Sequence, residues 1–307
     1  MSMSLKHAAR GAMVCAALLA PQVFAAEVER SGGPYVPTPQ IVVDQMLSMA
    51  KVGPDDFVVD LGSGDGVIVL TAVKQYKARG FGVDIDPDLV KLSNNDARRL
   101  GIADRAQFYV QNVFKADLSR ATVLTLYLLP EMMAQLSVKV FSELRPGARV
   151  VSHDYHFGEW QNDDEITFDV PEKEAVNGVP QATIYLWIVP AKVAGDWRIA
   201  VAGGRQYEAM LSQSYRYFGG TVNLEGRNVE IQQQKLRGLD IGFTVVAGNA
   251  RQIFRGRVTG DGMEGMVDLG GGKSARWTAT RAAKTAFHEK VAFDGCIACS
   301  ATRHPSF

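Results

Sequence analysis

Between residues 38 and 190 the chain alternates between two hydrophobic patterns. Short, almost wholly apolar runs, FVVDLG (57–62), GFGVDID (80–86), AQFYVQN (106–112), ATVLTLYLL (121–129) and ARVVSHDYH (148–156), read as strands buried on both faces of a parallel sheet. The stretches between them have helical spacing. Ile41, Val42, Met46 and Met49 recur on one face of a helix that Thr38 caps and Pro39 opens, with Gly53-Pro54 closing it. Further helices are predicted over about 67–76, from Pro87 to about Leu100 with Gly101 as its stop, and from Met132 to Leu144 before the turn at Pro146-Gly147. EITFDV (165–170) and ATIYLWIVP (182–190), separated by a Gly/Pro turn, read as a terminal hairpin. This order predicts an α/β fold, a Rossmann-like sheet of seven strands with helices on both faces and an antiparallel edge.

After Asp196 the helical period disappears. WRIAVAG, YEAMLSQSYRYFGGTVNL, NVEIQQQKLRG, DIGFTVVA, QIFRGRVTG, GMEGMVDLG and SARWTATR are short runs punctuated by glycine. They predict a small antiparallel β domain of about seven strands over 196–281, a sandwich or a barrel. At the other end of the chain, Lys6 and Arg10 precede an apolar run, Gly11 to Ala20, and Val23 and Ala25 stand at −3 and −1 of a cut before Ala26. Residues 1–25 therefore read as a secretory signal peptide, too short in its apolar run to span a bilayer, which needs about 20 residues. That implies a periplasmic or secreted protein with no transmembrane helix in the mature chain. An uncleaved leader would leave it cytoplasmic. Residues 26–37 form a Pro/Gly lead-in and 282–307 a tail with Cys296 and Cys299. This C-x-x-C fits one small-loop disulfide in an oxidising compartment. A zinc site with His288 and His304 is the alternative, although the spacing matches no standard finger.

The chemistry concentrates in VVDLGSGDG (58–66), a strand, a turn and a helix start. Glycine at 62, 64 and 66 lets a ligand approach the backbone, and the helix that follows offers free N–H groups. The Asp60 carboxylate suits an ammonium group, such as that of the amino-acid part of S-adenosylmethionine. Asp84 ends the next strand, 18 residues beyond Gly66, close to the spacing of a ribose-binding acid. Asn112, with Ile85 and Val113 as apolar walls, is placed to hold an adenine ring. A nicotinamide fingerprint needs G-x-G-x-x-G, and here the third glycine comes one residue early.

VVDLGSGDG followed by GVDIDP resembles the first two motifs of class I S-adenosylmethionine-dependent methyltransferases. YVPTPQIVVDQMLSMAKVGPDDFVVDLGSGDG is similar to the opening of the subgroup of ATP synthase c-subunit lysine methyltransferases and, more distantly, of Dot1-type enzymes. The resemblance covers about residues 34–190. It implies S-adenosyl-L-methionine as cofactor, with Asp60 at the methionine moiety, Gly62, Ser63, Gly64, Asp65 and Gly66 along it, Asp84 on the ribose, and Tyr35 and Thr38 as a cover. Asn112 departs from the aspartate of many relatives but keeps an acceptor oxygen. YLLPEM (127–132) falls where such enzymes face the methyl group, which makes Tyr127 and Pro130 candidate catalytic residues lining a channel for an amine.

HDYH (153–156) reads as strand-end polar residues, His153 and Tyr155 on one face and Asp154 and His156 on the other, with a metal site as the lesser reading. With 33 acidic and 33 basic residues the chain is neutral, which argues against a nucleic-acid partner. The expectation is a methyltransferase acting on a protein amine, lysine foremost, with the β domain as a docking platform. A small-molecule methyltransferase, or an exported, non-catalytic binding protein that keeps the cofactor fold, are the alternatives.

Overall fold

A computed structural model describes residues 35–248 and 250–283. The leader, the lead-in up to residue 34, and the tail with His288, Cys296, Cys299 and His304 lie outside the described residues. Among those described, no helix is long and apolar enough to cross a membrane.

The first half is a single mixed sheet. Its strands are β1 (Phe57–Leu61), β2 (Arg79–Asp84), β3 (Ala106–Val110), β4 (Val123–Leu126), β5 (Arg149–His153), β6 (Asp164–Asp169) and β7 (Gln181–Ile188). Their spatial order is β3-β2-β1-β4-β5-β7-β6, and β7 alone runs antiparallel to its neighbours. Alternation along the strands assigns the two faces. Val58, Val123 and Val151 pack with Val42, Val43, Met46 and Leu47 of α1 (Gln40–Met49). Val59, Leu124 and Val150 pack with Met133, Leu136 and Val140 of α4 (Pro130–Glu143). Each fully buried side chain is worth about 1.5–3 kcal/mol, so the four on α1 outweigh anything a ten-residue helix gains from propensity. They hold α1 on that face of the sheet, with its last turn at the start of β5, where Arg149 donates to the Ala50 carbonyl at 3.0 Å.

Local signals explain the boundaries. α2 (Val67–Tyr76) starts after Gly66, at φ +81°, and stops at Lys77, also left-handed at φ +64°. α3 (Pro87–Arg99) is capped by the Asp86 carboxylate, which accepts from the Asp88 N–H at 2.8 Å. Three boundaries differ from the sequence reading. Thr38 does not cap α1, because the chain turns helical one residue later and the Pro39 carbonyl accepts the first helical bonds, from Val42 and Val43. β4 ends at Leu126 and α4 begins at Pro130, so Tyr127, Leu128 and Leu129 form a bend between them. The β6–β7 connection holds a 3₁₀ turn (Pro171–Lys173) and the short α5 (Glu174–Asn177) rather than a bare turn.

The second half is a closed antiparallel barrel of eight strands, β8 (Gly195–Val201), β9 (Arg205–Ser214), β10 (Tyr217–Leu224), β11 (Arg227–Arg237), β12 (Asp240–Ala247), β13 (Ala250–Thr259), β14 (Gly262–Gly270) and β15 (Lys273–Ala283). Each strand pairs with the next in sequence, and β15 returns to β8. Closure leaves no free edge. The interior is filled: Phe243 stacks on Phe254 at 4.7 Å, and the Trp277 ring meets Phe254 edge-on at 5.4 Å. The count exceeds the seven runs of the sequence because YEAMLSQSYRYFGGTVNL is two strands folded at Tyr215-Arg216. Tyr215 adopts φ +49° there without a glycine, asparagine or aspartate to signal the turn.

The barrel sits on the sheet through the β9–β10 turn. Tyr215 stacks on Trp160 at 5.1 Å, and its hydroxyl lies 3.1 Å from the Ser137 hydroxyl of α4. Asp163, its side chain 2% exposed, accepts from the Ile188 N–H at 2.8 Å and lies within 3.6 Å of both Arg216 and Arg237 of the barrel. Replacing Asp163 with alanine removes the acceptor of the part-buried Ile188 N–H and the partner of two arginines that keep access to water. A loss of about 1–2 kcal/mol is expected in urea unfolding of the full chain. An unchanged midpoint and slope would show that this carboxylate does not join the two halves.

Candidate active site

The turn between β1 and α2 is built from three left-handed glycines, Gly62 at φ +79°, Gly64 at +51° and Gly66 at +81°. Their surroundings differ from the open approach expected for all three. A Cβ on Gly62 would lie 2.7 Å from Leu128, and one on Gly66 2.7 Å from the Phe108 ring. Those two are glycine because of the backbone angle and the packing beneath. At Gly64 a Cβ would meet the Tyr35 ring at 2.6 Å, so the lead-in lies directly over the turn. Ser63 faces inward: its hydroxyl is buried without a partner, and a Cβ on Gly82 would come within 2.6 Å of it. The Asp65 carboxylate accepts from the Val67 N–H at 3.1 Å and hydrogen-bonds the Tyr35 hydroxyl. Thr38 is partly buried in the same segment.

Asp60, 2% exposed, lies in register with Thr125 of β4, whose hydroxyl donates to it at 2.7 Å. Burial pushes its carboxyl from 3.8 up to about 7, against the Thr125 bond, and the charges of Asp84 and Asp65 push the same way. Asp84 accepts from the Gly64 N–H at 2.8 Å and the Asp86 N–H at 3.0 Å, which fixes it at the end of β2. Ile85 is 38% exposed beside it. Asn112 lies two residues beyond β3, where its side chain accepts from the Phe114 N–H at 2.9 Å, and Val113 is buried. Asp60, Asp65 and Asp84 thus crowd negative charge around one glycine turn. That arrangement fits a ligand bearing an ammonium and a sulfonium.

The ends of β4 and β5 carry a second cluster. The Tyr127 ring lies 4.0 Å from that of His153 and stacks on Tyr155 at 6.3 Å. His153 is fully buried, and neither ring nitrogen has a hydrogen-bond partner. Desolvation lowers its pKa to about 4, against the pull of Asp154, so at neutral pH the imidazole is uncharged. Its 3.4 Å approach to the Asp154 carboxylate is therefore a contact, not an ion pair. Burial, with the Asp154 charge, raises Tyr127 to about 12, which keeps the phenol protonated. Asp154 turns left-handed at φ +62° and ends the strand alternation after His153. Its carboxylate takes Lys173, itself buried, at 2.5 Å. Pro130 opens α4 at an exposed position and has no N–H to offer a substrate. Sequence reasoning passed over His153, Tyr155 and the Asp154–Lys173 pair as acceptor-end residues. HDYH was the one available signal, and nothing marked Lys173. Among the described residues no three His, Cys, Asp or Glu side chains group to hold a metal.

This sheet order, with a glycine turn after β1, an acid closing β2 and an aromatic bend after β4, is that of an S-adenosylmethionine-dependent methyltransferase of the Rossmann-like class. A family model described as the ANTKMT methyltransferase domain matches residues 60–164. A protein-lysine N-methyltransferase of Saccharolobus islandicus is 38% identical over 157 residues, covering 51% of this chain and 93% of that relative. The chain belongs to the family of that relative. A lysine N-methyltransferase of Xenopus laevis, named for its action on the ATP synthase c-subunit, is 37% identical over 131 residues, 42% of this chain, and the match spans 57% of its length. A crystal structure of an RNA methyltransferase from Salinibacter ruber, in complex with S-adenosyl-L-homocysteine, is 44% identical over 52% of this chain and 96% of that one, with a TM-score of 0.46.

Two measurements check the cofactor end. Asp84→Ala is expected to weaken S-adenosylmethionine binding in calorimetry by about 1.5–3 kcal/mol, the worth of charge-assisted bonds to a diol. Asp60 carries the pH signature. Its raised folded-state pKa makes its ionisation oppose folding, an effect absent below about pH 3.8 and complete above about pH 7. Asp60→Asn keeps the acceptor for Thr125 and removes that charge. Without cofactor the variant should gain stability over wild type as pH rises from 4 to 7, on the order of 2–4 kcal/mol, while binding the cofactor more weakly. A stability difference that does not change with pH would sink the buried-charge account.

Proposed function

We propose that this chain transfers the methyl group of S-adenosylmethionine to the side-chain amine of a lysine in a protein. One observation carries the reading: the partly buried rings of Tyr127 and Tyr155 cluster with the buried His153 at the carboxyl ends of β4 and β5, and the bend that carries Tyr127 lays Leu128 against Gly62 of the glycine turn. The printed activity of the Saccharolobus islandicus relative, alike over nearly its whole length, supports the same substrate class.

When bound, the cofactor supplies a methyl group on a positively charged sulfur. Asp60 offers its carboxylate to the cofactor's ammonium, and Asp84 offers its own to the ribose hydroxyls. Ile85 and Val113 would flank the adenine, with Asn112 at its edge, and Tyr35 covers the turn. At the acceptor end the work is alignment and drying. A lysine arrives as an ammonium and must shed a proton before its nitrogen lone pair can attack. An apolar surround lowers the amine's pKa and eases that loss. The neutral Tyr127 phenol and the neutral His153 ring add no charge there, and the phenol oxygen can accept a hydrogen bond from the remaining amine N–H. The N–CH₃ bond forms as the S–CH₃ bond breaks, so holding the amine in line is the main contribution of the chain.

The leader composition supports a further part of this reading, that the chain works outside the cytoplasm. Mass spectrometry of protein made with its leader tests it, and a soluble species that keeps Met1 to Arg30 would remove it.

The test of the main reading is incubation with labelled cofactor and envelope extract, followed by amino-acid analysis of labelled protein. Methyllysine is expected. Label confined to lipid or small molecules would remove the protein acceptor, and label nowhere despite cofactor binding would favour a non-catalytic binding protein. Tyr127→Ala should lower kcat/KM about 10- to 100-fold, the scale of misaligned reactants, while cofactor affinity stays near wild type.

A further inference from the structure

The sheet ends at β6, which pairs only with β7 among the described residues. β6 is antiparallel to β7, and β7 is antiparallel to β5, so the carboxyl ends of β5 and β6 point the same way. The outer edge of β6 therefore leads toward the end of the sheet where Tyr127 and His153 lie. The 3₁₀ turn that follows β6 is pinned there, because the Lys173 ammonium reaches both Asp154, next to His153, and the Gln181 carbonyl at 2.6 Å.

This path is strongly acidic. Asp164, Glu165, Asp169, Glu172 and Glu174 are all exposed, and none has a cation within ion-pair distance among the described residues. Glu165 and Asp169 bond only to the neutral amides of Asn162 and Gln181. Of the neighbouring cations, Lys173 is paired with Asp154, and Arg216 and Arg237 share the single charge of the buried Asp163, so the acids stay in excess. Side chains of one sign along an unpaired strand edge repel a second copy of the same edge. They attract an extended segment of opposite charge, for which a strand edge also offers backbone groups. At the inner end of the path sits the buried His153 imidazole, whose two nitrogens lack partners, 3.4 Å from the Asp154 carboxylate.

From this juxtaposition we infer that the outer edge of β6, with the rim Asp169–Glu174, docks a basic, extended segment of the protein acceptor, namely the residues flanking the lysine to be methylated. The inference rests on the lysine reading above and adds a sequence preference to it. The acidic edge gathers and orients the segment, and its lysine then turns in past Asp154 toward Tyr127.

The test uses two fluorescein-labelled peptides with one central lysine each, flanked by arginines in one and by glutamates in the other. Binding to the full chain is followed by anisotropy without cofactor, at low and high salt, and methylation of both peptides is followed separately. The arginine-flanked peptide should bind more tightly and lose affinity as salt rises. Glu165→Gln, Glu172→Gln and Glu174→Gln together should weaken it roughly eightfold, at a factor of about two per exposed pair. Thermal melting and cofactor affinity of this variant should match wild type. Equal binding of the two peptides, or no change in the triple variant, overturns the inference and leaves the charges as protection of a free edge. Methylation of both peptides at equal rates also overturns it while upholding the lysine reading. Selective binding with methylation of neither peptide would strike the lysine reading and leave the basic-segment surface standing.

Discussion

Burying the carboxylate of Asp60 is the constraint around which the first half of the chain is arranged. A carboxylate removed from water is costly unless something shares its charge. Here Thr125 supplies the one direct hydrogen bond, and it can do so only because β1 and β4 are paired in the register that sets Asp60 opposite Thr125. A slip of one residue would send Asp60 to the α4 face and break the bond. The central pairing of the sheet and the cofactor end of the site are thus the same interaction. Asp84 is fixed by the Gly64 and Asp86 N–H groups, and Asp65 by the start of α2, so neither can retreat from Asp60.

The barrel is joined to the same site through one stretch of chain. After His153 the backbone turns at Asp154, passes Tyr155 against Tyr127, and reaches Trp160 against Tyr215 of the barrel. It then buries Asp163 beneath Arg216 and Arg237. The loop that shapes the acceptor pocket is therefore held at its far end by the β9–β10 turn. Phe243, Phe254 and Trp277 pack together inside the barrel, and its β9–β10 turn contacts the 154–163 stretch at Trp160.

Much of the sheet was legible because its signal is local. FVVDLGSGDG carries strand, turn and helix start within ten residues, and a run such as VVSH has nowhere to go except a buried strand. Asp60, the glycines and Asp84 stood out because backbone chemistry dictates their types. What escaped the sequence depends on distant partners. Leu128 and Phe108, not a ligand, fill the space over Gly62 and Gly66. The pairing of Asp154 with Lys173 spans a strand and a loop, and no spacing rule announces it. The eighth barrel strand was hidden by a Tyr-Arg turn that lacks the usual turn residues, so tertiary pairing decided what local chemistry left unmarked.

Net charge proved the least informative quantity, because opposite charges are segregated in space. The chain balances 33 acids against 33 bases, yet residues 159–174 hold seven acids and a single lysine that is buried and paired. A formal total of zero says only that no excess charge exists on average. The potential a partner meets is set within about a Debye length, ~10 Å, of where it lands. Along the β6 edge that potential is negative, which repels a phosphate backbone and attracts lysine and arginine. Arg216 and Arg237, which share the one charge of Asp163, are outnumbered by the remaining acids of that stretch. The same carboxylate that anchors the barrel offsets one of those two charges and leaves the other against the more numerous acids of the rim. Where that carboxylate sits therefore bears both on how the halves of the chain are joined and on the charge along the β6 edge.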